Sequence, residues 1–410
     1  MFILQRALKF AQVHFNVGEP SKHFCLLRCL DIVSPFMILE RKRSELEIGF
    51  KTLCLSILFI HIVGLAYDIL RQHDIRGALD IYSMLSVFVC IYVRPLCLRN
   101  FRESISAMDR LDANPRFRKG TPYGDAIRQQ VVHKDNVYLG SAMAMHSFTV
   151  VLYIWHNLTT QNSFLTLVTY WPTDLSYVSP VLDKLAQTAY CLVAFLWGWS
   201  HAAGQVTIIV LLRIAVAEFR VFLESLARLD EQIEETGNTY PELSHERIVS
   251  DLLHEHARRH QELIVVMMRL RKMLRIYTLV HFSLYMSIVA TFMTRMLVIT
   301  GASSLGTAVS LLATMIFFFE TLGMCLLVEQ LIQLNRKVNF ALYSFDWPKC
   351  LPFGHAIKRT IMLMIMQSSN TNDFSAGGLT KISAELFAKS CRLVYTMMMC
   401  MANLANVNAE

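Results

Sequence analysis

Seven stretches of the chain, at about 48–70, 78–98, 137–158, 185–212, 276–299, 303–328 and 382–407, are mostly apolar. Each is long enough for a helix to cross a hydrocarbon layer of about 30 Å, which takes about 20 residues. Lipid offers the backbone no hydrogen bonds, so a crossing segment has to satisfy its own amides and carbonyls as a helix. With 54% hydrophobic residues and only 17% charged ones, the chain is too apolar for an ordinary soluble protein. The expected fold class is therefore all-α, a membrane protein with seven transmembrane helices.

Charge then orients the bundle. Lys and Arg number seven in residues 1–46, eight in 99–136, ten in 213–275 and five in 333–378, together 30 of the 39 basic residues. The alternate loops hold only Arg71, Arg76 and Lys184. By the positive-inside rule the N-terminus is expected in the cytoplasm, and seven crossings then put the C-terminus outside. The net charge of +7 follows from this topology, and no nucleic-acid partner is expected. The first residues, MFILQRALKFAQVHF, lack the apolar core and cleavage site of a signal peptide. Ten cysteines without a CxxC pair indicate neither a disulfide-built ectodomain nor a metal site.

Several segments outside the spans have character of their own. CLLRCLDIVSPFMI is too short and too interrupted to cross, and reads as an interfacial helix. Beyond the fourth span, Ile214, Val216, Phe219, Phe222, Leu223 and Leu226 follow one helix face, as do Ile248, Leu252 and Leu263 before the fifth. These extensions, with residues 333–367, are expected to pack as a cytoplasmic helical bundle. Within them His256 and His260 stand four apart, but the HExxH arrangement of a metalloprotease helix is absent, so a solvated or interfacial helix is expected and no metal. No Walker loop, GxSxG or dinucleotide fingerprint occurs, so neither an enzyme nor a cofactor is indicated. Asn157 in Asn157-Leu158-Thr159 is the one N-x-[ST] sequon and a candidate glycosylation site on the expected outer side. The loop 159–184 is the longest outer segment. Among charges inside the spans, Arg94 reads as snorkelling at an inner end, and Glu320 as facing other protein.

A candidate ligand site follows from aromatic and small polar residues in the outer halves of four spans. They are Met84, Val87 and Phe88 on the second, Phe148, Val151 and Trp155 on the third, Trp197 and His201 on the fourth, and Thr314 and Phe317 on the sixth. Within each set the spacing allows a shared helix face, and such walls suit a small, mostly apolar volatile molecule. Ordinary helix packing is the alternative, with Trp155 and Trp197 as interfacial anchors.

The tail carries a family resemblance. Tyr343 and Trp347 in a Tyr-x-x-x-Trp element, the run MLMIMQSS from Met362 to Ser369, the SAGG turn from Ser375 to Gly378, and Phe387 with Tyr395 in the closing helix together resemble insect odorant receptors. The resemblance implies a ligand-tuning subunit of an odorant-gated, non-selective cation channel in the plasma membrane of sensory dendrites. A volatile organic ligand would bind between the same helices, and a shared odorant co-receptor subunit would complete a heterotetramer surrounded by membrane lipid. The implied parts are a cytoplasmic N-terminal segment (1–46), helices one to four (47–212), anchor extensions (213–275), helices five and six (276–332), an anchor helix with its glycine loop (333–378), and a pore-lining last helix (379–410).

Counting from Tyr395, the family's pore constriction would fall on Met398, with Met401 the next inward position; the family's co-receptor has glutamine where this chain has Met401. A closed gate is apolar, which fits a thioether ring. Residue spacing points elsewhere, since Thr396, Asn403 and Asn406 share a polar face nearly opposite those methionines. A gustatory receptor of the same superfamily is the nearest competing reading, although the last helix lacks its Thr-Tyr and Gln-Phe elements. A G-protein-coupled receptor would place the basic loops on the wrong side, and no internal repeat supports a transporter.

Overall fold

The computed structural model describes residue 36 and residues 43–72, 75–105, 122–159, 179–298, 304–344, 355–369 and 374–407. The interfacial N-terminal piece apart from Phe36, all but the ends of the loop 159–184, and Trp347 lie outside them. Nine helices are described: α1 (Glu45–Arg71), α2 (Ile75–Arg99), α3 (Pro122–Thr159), α4 (Pro180–Ala227), α5 (Leu229–Thr239), α6 (His245–Val298), α7 (Ser304–Tyr343), α8 (His355–Ser369) and α9 (Ala384–Val407). A two-stranded hairpin, β1 (Ser375–Ala376) and β2 (Thr380–Lys381), precedes α9. Each expected span falls within one long helix, to within two residues. Among the described residues, 45–71, 77–99, 245–298 and 306–343 are long and apolar enough to cross a membrane. The other three expected spans lie on α3, α4 and α9, the last of which mixes its apolar residues with Glu385, Lys389, Arg392 and Asn403.

Burial sorts the helices by the width of their inward face. From Ala202 to Leu212, α4 is buried on every side, as an uncharged and mostly apolar helix should be at the centre of a bundle. It packs chiefly on α3 and α7, while α6 takes α2, α7, α8 and α9. Only a narrow stripe of α1 is buried, Lys51, Cys54, Leu58, His61 and Leu65, and Phe50, Leu53, Phe59, Ile60 and Val63 face outward. That leaves α1 at the edge, its apolar outer face suited to lipid. Its start is capped by Ser44, whose Oγ accepts the Glu47 amide at 3.2 Å.

The charges inside the bundle find each other. Arg94 on α2 is 1% exposed and is therefore not snorkelling. Its guanidinium forms an ion pair with Glu320 on α7 and donates from Nε to the Tyr277 hydroxyl on α6 at 3.1 Å. His281 stacks on Tyr277, and its Nε2 lies 2.9 Å from Thr321 Oγ1. Three helices, α2, α6 and α7, are thus tied by one buried polar cluster.

The extensions pack as their spacing predicts. Leu229 and Ile233 of α5, Ile248, Val249 and Leu253 of α6, and Ile361 of α8 form a second, smaller apolar core. Glu218 on α4 accepts from Arg128 on α3 at 2.7 and 3.0 Å, and Arg259 on α6 is 3.6 Å from the same carboxylate. Of the expected alternatives, a solvated or an interfacial helix, the solvated one is corrected at His256 and His260, because both are buried. His256 donates from Nδ1 to the Leu252 carbonyl at 2.8 Å, which leaves Nε2 to accept from Ser225 at 2.9 Å. His260 stacks on Phe222 with centroids 5.6 Å apart. Burial holds both imidazoles below their ordinary titration range, His260 at about 4.

Two outcomes follow. Glu320→Ala strands a buried guanidinium and should cost about 3–5 kcal/mol, read as a lower melting temperature and poor surface delivery. Joint replacement Arg94→Met with Glu320→Leu should recover most of that loss. Because His260 titrates lower folded than unfolded, the unfolded chain binds more protons between the two values, so stability is full above pH 6.5 and falls toward pH 4. The melting temperature of the purified protein should drop less between pH 7.5 and 5 in His260→Phe than in the wild type; an identical drop would remove His260 from the account.

Candidate functional site

Five helices surround a cavity of about 130 Å³. Met84, Val87, Phe88 and Ile91 come from α2; His146, Thr149 and Val150 from α3; Trp197, Gly198 and His201 from α4; Phe292 from α6; and Val309, Ala313, Ile316 and Phe317 from α7. Each set repeats at three or four residues, so one face of each helix supplies a wall. The rings interlock: Phe88 stands edge-on to Trp197 at 5.5 Å, and His201 lies 5.1 Å from Phe317 and 5.4 Å from His146. A hydrogen bond from Trp199 Nε1 to Ser147 Oγ, 3.0 Å, joins α3 to α4 beside the cavity. The two helices approach closely there, since a Cβ on Gly198 would lie 2.6 Å from Val150 Cγ2.

Six of the expected ligand-site residues meet in this cavity: Met84, Val87, Phe88, Trp197, His201 and Phe317. The third-helix residues do not. Phe148, Val151 and Trp155 are 54%, 47% and 61% exposed on the outer face of α3, and His146, Thr149 and Val150 take their place. Large rings are at ease against lipid, whereas His146 and Thr149 are not, so the polar residues of this apolar span mark its inner face. That was the signal sequence reasoning passed over. Thr314 lies beside the wall, partly buried, with its hydroxyl donated to the Ser310 carbonyl at 2.8 Å. Phe292 belonged to no expected set because α6 looked like a plain span. Asn157 sits in the last turns of α3, and its side chain lies outside the described residues.

The SAGG turn is a hairpin clasped to α6. Ser375 pairs with Lys381 and Ala376 with Thr380, and the connection needs the positive φ of Gly377 (62°) and Gly378 (84°). The Gly377 amide donates to the Arg275 carbonyl at 2.7 Å. A Cβ at Gly377 would meet Leu279 at 2.9 Å, and one at Gly378 the Arg275 guanidinium at 2.9 Å. The hairpin thereby fixes where α9 begins against α6.

On α9 the inward face is Phe387, Ser390, Val394, Met398 and Ala402. Phe387 packs on Phe318 and Tyr285, and the Thr294 hydroxyl of α6 reaches the Met398 carbonyl at 3.5 Å. Met398 is 7% exposed and Met401 partly buried, so the expected gate residues sit toward the rest of the chain. The open face carries Arg392, Thr396, Met399, Cys400 and Asn403, with Tyr395, 61% exposed, at its margin. Among the described residues α9 leaves the Thr396 and Asn403 side exposed, together with Leu393, Tyr395 and Leu404, and buries Met398. Its physical reason is plain: a methionine side chain loses nothing in a dry helix contact, whereas Thr396 and Asn403 would.

Gly377→Ala should destabilise this attachment through both its φ and its contact with Leu279. The expected reading is faster proteolysis of the 370–381 segment and a smaller functional response at equal surface delivery; unchanged behaviour of the variant would remove the clasp from the argument.

Comparison with known proteins now bears on these features. The 7tm Odorant receptor family matches residues 78–395. A solved structure of the insect olfactory receptor OR5 from Machilis hrabei in complex with eugenol superposes with a TM-score of 0.75 at 12% identity, covering 96% of this chain and 100% of that one. Another structure of that receptor gives 0.72 at 11% identity, covering 98% and 99%. No curated protein matches the sequence. By the extent of the family match, this chain belongs to the 7tm odorant receptor family.

Proposed function

We propose that the chain is the ligand-tuning subunit of an odorant-gated, non-selective cation channel, working with a shared co-receptor as a heterotetramer in the plasma membrane of sensory dendrites. The observation that carries the reading is the position of α6 between cavity and last helix. Phe292 lines the cavity, and two residues on Thr294 touches the Met398 carbonyl of α9. A ligand that prefers one packing of Phe292 thereby biases the seat of α9, and it favours opening only by its difference in affinity for the two states.

Assembly is supported by apolar groups left exposed away from the spans. Phe340 and Tyr343 of α7, Met362 and Met366 of α8, and Leu379 of the hairpin are all more than half exposed, a density that suits burial against another subunit. The Machilis hrabei receptor, which has the same fold, was captured with eugenol, a small volatile, and the apolar walls here suit that size class. Four copies of α9 placed around an axis would turn Thr396, Cys400 and Asn403 toward water, with Met398 seating the helix from behind.

Two measurements test this. An N-terminal epitope tag should stain only after permeabilisation; staining of intact cells would end the channel reading. In cells that also carry the co-receptor, a charged methanethiosulfonate reagent should reduce odorant-evoked current through Cys400, at least twofold, and spare Cys400→Ala. In that background Met398→Cys should stay unmodified, and block there instead would return the pore to the methionine face.

A further inference from the structure

We infer that the cavity selects molecules that carry a hydroxyl group, held between the imidazoles of His146 and His201. The inference rests on the reading of the cavity as the odorant site, and names the class of ligand it takes.

The wall is otherwise made of hydrocarbon and ring carbon, so its two histidines stand out. His201 is 7% exposed and His146 is 5% exposed. Among the described residues neither ring nitrogen of His201 has a hydrogen-bond partner, and neither does Nε2 of His146. The tautomer of His146 follows from its other nitrogen, since Nδ1 lies 2.7 Å from the Ala142 carbonyl and must carry the proton that it donates. Nε2 therefore presents a lone pair. A neutral His201 presents one N–H and one lone pair. The two rings are 5.4 Å apart, tilted 46°, and both border the empty volume.

Two neighbouring imidazoles in the cavity wall, one with an unpartnered lone pair and the other with both an N–H and a lone pair unpartnered among the described residues, ask for a group that donates to the first and accepts from the second. A hydroxyl does both. An aldehyde or ether can only accept and leaves His146 Nε2 unpaired, and a hydrocarbon leaves both histidines unpaired. Buried polar groups stripped of partners penalise the wrong ligand far more than a missing methylene does. The remainder of the volume, about 130 Å³ in all, is near the roughly 150 Å³ that accepts benzene, and Phe88, Trp197 and Phe317 supply the apolar contact. The ligand class is a small alcohol or phenol with an apolar body of ring or short-chain size.

The experiment is a dose–response series on cells expressing the chain with its co-receptor. Two triads serve as probes: benzyl alcohol with ethylbenzene and benzaldehyde, and hexanol with heptane and hexanal. In the wild type the alcohol of at least one triad should activate at a concentration tenfold or more below its two analogues. His201→Phe should shrink that gap to under threefold while the hydrocarbon response holds or improves, and His201→Gln, which keeps a donor and an acceptor, should retain much of the preference. Equal potency across both triads, or an equal shift of every compound in His201→Phe, overturns the inference and leaves the cavity reading intact. Ala313→Phe, which fills the cavity, separates the two levels. Responses that survive it remove the odorant site from this place and the inference with it. Silence to both triads, alongside other odorant responses that Ala313→Phe abolishes, overturns the inference alone.

Discussion

The ion pair between Arg94 and Glu320 holds the architecture in register. It joins α2 to α7, and Tyr277 brings in α6, so three of the five helices around the cavity are fixed at one level. Arg94 lies three residues beyond the cavity-lining Ile91, and Glu320 three beyond Phe317, so the polar cluster forms the floor under the apolar chamber. In a medium without water the separated charges would be far more costly than the pair. Motion that reshapes the cavity is therefore easiest as tilting about this floor, and hardest as separation of the helices across it.

The remaining contacts extend that logic toward α9. The hairpin clasps α6 at Arg275, Phe387 packs between Tyr285 and Phe318, and Thr294 meets Met398 near the other end. One side of the last helix is thus spoken for along its length by α6 and α7. The other side is short of partners and rich in groups that want water. The last helix thus has one face committed within the chain and one exposed face on which polar and apolar residues mix.

Much of this was legible in the sequence, and the failures have physical causes. Apolar length located the long helices, because a membrane fixes how long a crossing must be. Period alone could not orient α3, where apolar residues face lipid and protein alike and Phe148 and Trp155 look as suited to a pocket as His146 does. Arg94 was misjudged because its partner lies 226 residues away, beyond the reach of any local pattern. The burial of His256 and His260 escaped for a similar reason, since Phe222 and Ser225 reach them from another helix. On α9 Thr396 and Asn403 lie on the exposed side of the chain, while Met398, reached by counting from Tyr395 along the family pattern, is buried within it.

The distance between Arg94 and Glu320 also bears on biogenesis. Ribosomes add about 5–20 residues per second, so the guanidinium exists for roughly 10–50 s before its carboxylate is made. During that interval α2 carries a charge with no native counterion, and it is poorly suited to leave the translocon for open lipid. The contact that joins α2 to α7 can therefore form only late in synthesis, after most of the chain has been made.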